Sequence, residues 1–108
     1  KLGREDFEAL LNEPMVVTLS PEDADEAATL GGKWLDVRVP SEFKAFAKDD
    51  AVNLPLYVLR HKLDVLDRET PYIVYCDTGR RSSAAAFILN QKGFEAAVLK
   101  GGLNHRAA

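Results

Sequence analysis

Cys76 is the only cysteine of the chain, and it lies in the run Cys76-Asp77-Thr78-Gly79-Arg80-Arg81-Ser82. Before it comes Tyr72-Ile73-Val74-Tyr75, an apolar, β-branched and aromatic stretch that reads as a buried strand. After it, Ser83 to Lys92 reads as a helix, carrying Ala84-Ala85-Ala86-Phe87-Ile88-Leu89. A thiol on a glycine-bearing turn between strand and helix is a nucleophile candidate. Backbone N–H groups of such a turn can point at an anion, and the helix start adds positive potential. The thiolate is the reactive form of cysteine, and the helix start with Arg80 and Arg81 would favour it. Gly79 permits the φ values of a tight turn. The expected device is a thiolate in a bowl of N–H groups that also holds an anionic substrate or an anionic covalent adduct. A buried structural cysteine is the bland alternative, but it leaves a glycine and two arginines on the turn without a purpose.

Such a turn needs a frame. Met15 to Leu19 reads as a short strand. Ser20-Pro21-Glu22-Asp23 then has the marks of a helix start: a serine cap, proline in the first turn and acids beside it. That helix carries Ala24, Ala27, Ala28 and Leu30 and stops at Gly31-Gly32. Lys33 to Val37 is the next strand, and Pro40-Ser41-Glu42 opens a short helix with Phe43 and Phe46. Ala51 to Pro55 is a third strand, after which Leu56, Leu59, Leu63 and Leu66 recur on one helical face. Gly93 ends the helix after Cys76, with Phe94 placed to pack back on its last turn. Ala96 to Leu99 is the fifth strand, broken by Gly101-Gly102.

Strands alternating with helices, the middle ones apolar throughout, imply an α/β fold: a mainly parallel five-stranded sheet with helices on both faces. Ligands of such sheets bind beyond the carboxyl ends of the strands. Cys76, Asp36, Asn53 and Lys100 all stand at or just past strand ends, so one edge should gather them, with Arg38 close by.

At this point the chain resembles a family. Cys76-x-x-Gly79-x-Arg81-Ser82 is similar to the active-site loop of single-domain, rhodanese-like sulfurtransferases. Leu35-Asp36-Val37-Arg38 with Glu42-Phe43, Ala51 to Leu56, Gly93-Phe94 and Val98 to Leu103 resemble the flanking signatures in order and spacing. The resemblance implies a three-layer rhodanese-like fold and sulfur transfer through a Cys76 persulfide. The sulfane sulfur would come from thiosulfate or a persulfide and pass to cyanide, a small thiol or a protein cysteine. It implies no cofactor. It also implies that Asp77, Thr78, Gly79, Arg80 and Ser82 cradle the adduct while Arg81 helps to fix it. Two departures stand out. Lys48-Asp49-Asp50 replaces the family's His-Ile-Pro-Gly type of turn, and Asp77 stands where the best-known thiosulfate enzymes carry a cation; an acid there should repel thiosulfate.

Other readings compete. A cysteine phosphatase needs its arginine six residues after the cysteine to grip phosphate in a fork, and that position is Ser82. A non-catalytic interaction module of the same family is the principal alternative, although this chain keeps its cysteine. Asp36 and Arg38 could act as acid/base and anchor, but a structural role is favoured: Asp36 bonding backbone and Arg38 pairing with Glu42. Asp77 and Arg80 divide evenly between tuning the substrate and facing solvent. His61 and His105 have no companions at ligand spacing, so no metal site is expected.

Composition sets the bounds. With 108 residues, 46% hydrophobic and 29% charged, one globular domain is the natural expectation. A net charge of −3 argues against broad nucleic-acid binding. A lone cysteine suits a reducing compartment, most simply the cytoplasm, and no apolar run reaches membrane-span length. Residues 13–103 are expected to form the domain and 104–108 a tail. Residues 1–12 are expected to form a lead-in or linker helix. They resemble the tail of a cyclic-nucleotide-binding domain, which implies an upstream domain in a longer protein.

Overall fold

A computed structural model describes residues 16–103 of the chain. The lead-in segment 1–12 and the tail 104–108, His105 included, lie outside the described residues. Five strands, β1 (Thr18–Leu19), β2 (Lys33–Asp36), β3 (Val52–Asn53), β4 (Tyr72–Tyr75) and β5 (Ala96–Leu99), form one sheet in the order β1-β5-β4-β2-β3. Every neighbouring pair is parallel. The sheet is therefore the α/β architecture that the alternation of elements implies.

Successive residues of β4 serve opposite faces, as the pleat requires. Tyr72 and Val74, with Cys76 just beyond the strand, pack with Leu35, Val98, Leu59, Ala85, Ala86 and Leu89 on one side. Ile73 and Tyr75 pack with Ala24 and Leu99 on the other. The first face is covered by α3 (Leu56–Leu59) and α4 (Arg80–Gln91), the second by α1 (Pro21–Thr29). A strand buried on both faces cannot alternate apolar with polar, which is why Tyr72 to Tyr75 reads as one continuous apolar run.

Local signals explain the boundaries. Ser20 caps α1 by accepting the Asp23 N–H at 3.1 Å, with Pro21 in the first turn. After α4, Gly93 takes φ 91°, its N–H reaches the Asn90 carbonyl, and the Phe94 N–H reaches Leu89. That is a Schellman closure, with Phe94 buried beneath it. α2 (Pro40–Ala45) is one short piece between β2 and β3.

Two expectations change. The leucine stripe from Leu56 to Leu66 is not one helix: α3 ends at Leu59, and a 3-10 turn spans Leu63–Val65. His61 and Lys62 donate to Val58 and Leu59, three residues back, which tightens the chain out of the α-helix. The leucine spacing reported burial of Leu59 and Leu66, and two separate turns satisfy it as well as one helix would. The helix after Cys76 begins at Arg80 and not at Ser83, because Gly79 at φ 105° and ψ −10° turns the chain within one residue. Among the described residues, no helix is long and apolar enough to cross a membrane.

Candidate active site

Parallel pairing brings the strand ends together. Asp36 is level with Tyr75 on one side and with Asn53 on the other, and Cys76 follows Tyr75 directly. Cys76 is fully buried. Its Sγ accepts the Gly79 N–H at 3.0 Å and the Ser82 N–H at 3.3 Å, and the Ser82 Oγ lies 3.4 Å away.

These donors have a structural origin. The first N–H groups of an α-helix have no partner within the helix. In α4 they belong to Gly79, Arg80, Arg81 and Ser82, and two of the four are spent on sulfur. Cys76 Sγ thus caps α4 where a serine or aspartate oxygen would ordinarily do so. The Arg80 and Arg81 N–H groups remain without a hydrogen-bond acceptor among the described residues. The site can therefore hold a charged sulfur and has donors in reserve for an atom attached to it.

Arg81 is held from two sides. Its Nη1 and Nη2 meet Glu42 Oε1 and Oε2 at 3.0 and 3.2 Å, and Nη2 also meets Asp77 Oδ1 at 3.0 Å. Glu42 in turn accepts the Val39 N–H at 3.1 Å. The clamp ties the start of α4 to α2. The Arg81 guanidinium holds the Glu42 and Asp77 carboxyls below the usual carboxylate range, and both carboxylates raise Arg81 above its ordinary value. The pairing of Arg38 with Glu42 is corrected: Glu42 belongs to Arg81.

Arg38 turns back on Asp36 instead. Its Nε meets Oδ1 and Oδ2 at 2.9 and 3.1 Å, its Nη2 meets Oδ2 at 2.6 Å, and its N–H meets Oδ1 at 2.9 Å. The hydrogen bond to Asp36 raises the Arg38 guanidinium above its ordinary value against the opposing cost of burial. Arg38 Nη2 also donates to the Phe46 carbonyl, and Asn53 Nδ2 donates to the carbonyls of Asp36 and Arg38. Both Asp36 carboxylate oxygens are occupied by Arg38, and the pair braces the loop after β2.

Of the remaining residues, Thr78 and Arg80 are exposed at the loop, and Asp77 is half-buried with its Oδ1 accepting the Thr78 N–H at 2.8 Å. Lys100 is exposed past β5, and His61 is exposed in the turn after α3. One support has no signal in the sequence beyond a pair of glycines. Gly102 has φ 60°, and a Cβ there would lie 2.4 Å from the Cys76 carbonyl oxygen. The Leu103 N–H donates to that oxygen at 2.9 Å. The Gly101-Gly102 pair signals more than a strand break: it lets the closing turn press against the back of the cysteine loop. Among the described residues, no group of three or more His, Cys, Asp or Glu could hold a metal ion.

The comparisons with known proteins point to one family. The family model described as Rhodanese-like domain matches residues 20–106. Thiosulfate sulfurtransferase PspE of Escherichia coli is 35% identical over 72 residues, covering 65% of this chain and 69% of that protein. A sulfurtransferase of Allochromatium vinosum is 28% identical over 95 residues, covering 87% and 86%. Among solved structures, a rhodanese-related protein from Thermoplasma volcanium superposes with a TM-score of 0.78 at 31% identity, covering 82% of this chain and 88% of that one. Bacillus anthracis CoADR-RHD gives 0.77 at 31%, covering 82% of this chain and 16% of that much longer one.

Proposed function

The chain belongs to the rhodanese-like domain family, and from that membership and the geometry of its loop we propose that it is a sulfurtransferase carrying sulfur as a persulfide on Cys76. One observation carries the reading: two backbone N–H groups converge on the Cys76 sulfur at the carboxyl edge of a parallel sheet. A group of preorganised donors stabilises negative charge without rearranging when the charge arrives.

In the first step the Cys76 thiolate attacks the outer sulfur of a donor R–S–SH. A new S–S bond forms to Cys76, the old S–S bond breaks, and its electron pair leaves on R–S⁻. With thiosulfate the leaving group is sulfite. In the second step an acceptor nucleophile (cyanide, a small thiol or a protein cysteine) attacks the terminal sulfur and restores the thiolate. The sulfane sulfur passes between nucleophiles with no net change of electron count, so the reaction calls for no redox partner. The Arg80 and Arg81 N–H groups, at the open end of α4, suit a terminal sulfur anion.

The test is the mass of the intact protein after mixing with thiosulfate or with glutathione persulfide. A gain of one sulfur on Cys76, absent in Cys76→Ser, is the expected result. Failure of every donor to load the wild-type protein would overturn the reading and leave the interaction module standing.

A further inference from the structure

Asp77 occupies donors that a loop of this kind could offer to an external anion. Its Oδ1 accepts both the Thr78 N–H at 2.8 Å and the Arg81 Nη2–H at 3.0 Å. The other arm of Arg81 is engaged by Glu42 at 3.0 Å. Two carboxylates face one guanidinium, so the cluster beside the cysteine carries a net single negative charge. Arg80 is the loop's other cation, but it is exposed and takes part in no ion pair among the described residues. A charge in that setting is screened by solvent and attracts weakly.

We propose that Asp77 is a built-in anion that selects the sulfur donor, favouring an alkyl persulfide over thiosulfate. This inference rests on Cys76 being a persulfide carrier. Thiosulfate is a dianion, its charge shared between a sulfonate-like head and the outer sulfur, and it departs as sulfite. To be gripped by Arg81 or the Thr78 N–H, that head must displace Asp77 from charge-assisted hydrogen bonds and then lie against two carboxylates. An alkyl persulfide has no such head. Its outer sulfur moves to Cys76, the S–S bond breaks toward the inner sulfur, and a thiolate leaves. That exchange draws only on the amides at the start of α4. The effect of Asp77 is thus more than repulsion across a distance, because its carboxylate already engages the Thr78 and Arg81 donors.

The experiment measures the second-order rate of persulfide formation on Cys76 with thiosulfate and with glutathione persulfide, by intact mass against time. The wild-type protein should load faster from glutathione persulfide. Asp77→Ala frees two donors and removes one charge, and should raise the thiosulfate-to-persulfide rate ratio by about tenfold, the worth of one charge-assisted hydrogen bond. Asp77→Asn keeps an oxygen for Thr78 and removes only the charge, so it should raise the ratio by less. Bidentate Glu42 still anchors Arg81 in both variants, and a thermal melt confirms the fold. A ratio unmoved in both variants, or a wild-type preference for thiosulfate, overturns the inference while leaving sulfur transfer intact. No loading of the wild-type protein by either donor overturns both readings, a result that cannot be confused with the first.

Discussion

At the scale of single residues, the Cys76 sulfur is served by one residue twice. Ser82 gives its N–H at 3.3 Å and places its Oγ at 3.4 Å, and it is fully buried. The hydroxyl can turn to donate to a charged sulfur or accept from a thiol. Ser82→Ala removes the hydroxyl and leaves the backbone donor, in a site whose volume an alanine nearly fills. Persulfide formation should slow by about fivefold, the worth of one modest hydrogen bond, with the melting temperature almost unchanged. An unchanged rate would show that the backbone amides alone hold the sulfur. The loop was legible in the sequence because its parts are neighbours: Cys76, Gly79 and Ser82 fall within seven residues. The Glu42 contact was not, because Arg81 lies 39 residues away and only the folded sheet decides which acid it meets. Arg38 stood nearer to Glu42 in sequence, and the fork it makes with Asp36 was the competing solution.

At the scale of elements, the Arg81 clamp joins α2 to α4 and so sets how the loop is held between them. Glu42 and Asp77 have their carboxyls held low, chiefly by the hydrogen bond from Arg81. A depressed folded value means a contribution to stability that is present above the ordinary carboxyl range, near pH 4. It fades as pH falls through the lower folded values. Both carboxylates are partly exposed, so solvent screening keeps the contribution of each below about 1 kcal/mol. Glu42→Gln should therefore be slightly less stable than the wild-type protein at pH 7, with the gap narrowing toward pH 3, as read by urea unfolding at both values. A gap that stays constant across that range would assign the loss to packing and remove the clamp from the account. Element identity was easier to read than element ends. The periodic leucines from Leu56 to Leu66 mark buried positions and are silent on whether one turn or two delivers them. Conversely, Gly79 and Gly93 bracket α4 because both take a positive φ, and both are visible in the sequence as glycines.

At the scale of the whole molecule, the parallel sheet makes the site by placing its carboxyl ends on one edge, and Tyr75 ties that edge to the core. Its ring meets Trp34 edge-on at 5.9 Å and lies 5.6 Å from the Arg38 guanidinium, while its hydroxyl accepts the Lys48 N–H at 3.0 Å. The apolar run around Tyr75 announced a buried strand, but its hydroxyl contact with Lys48, 27 residues away, depends on the turn before β3 and left no trace in local pattern. Tyr75 is fully buried, and burial pushes its phenol up to about 12. The ordinary value is about 10. With the folded value raised, the neutral phenol's contribution is fully present below pH 10. It is lost as pH climbs toward 12, because the unfolded chain ionises first. A shift of two units corresponds to about 2 to 3 kcal/mol at the upper end of that window. The unfolding free energy of the wild-type protein should therefore fall steeply between pH 10 and 12. Tyr75→Phe should start lower at pH 8, having left the Lys48 N–H without its partner, and fall less steeply over the same window. Parallel slopes for the two proteins, measured by urea unfolding at half-unit steps, would mean that the alkaline loss comes from other groups, and that the edge of the sheet does not depend on this buried phenol.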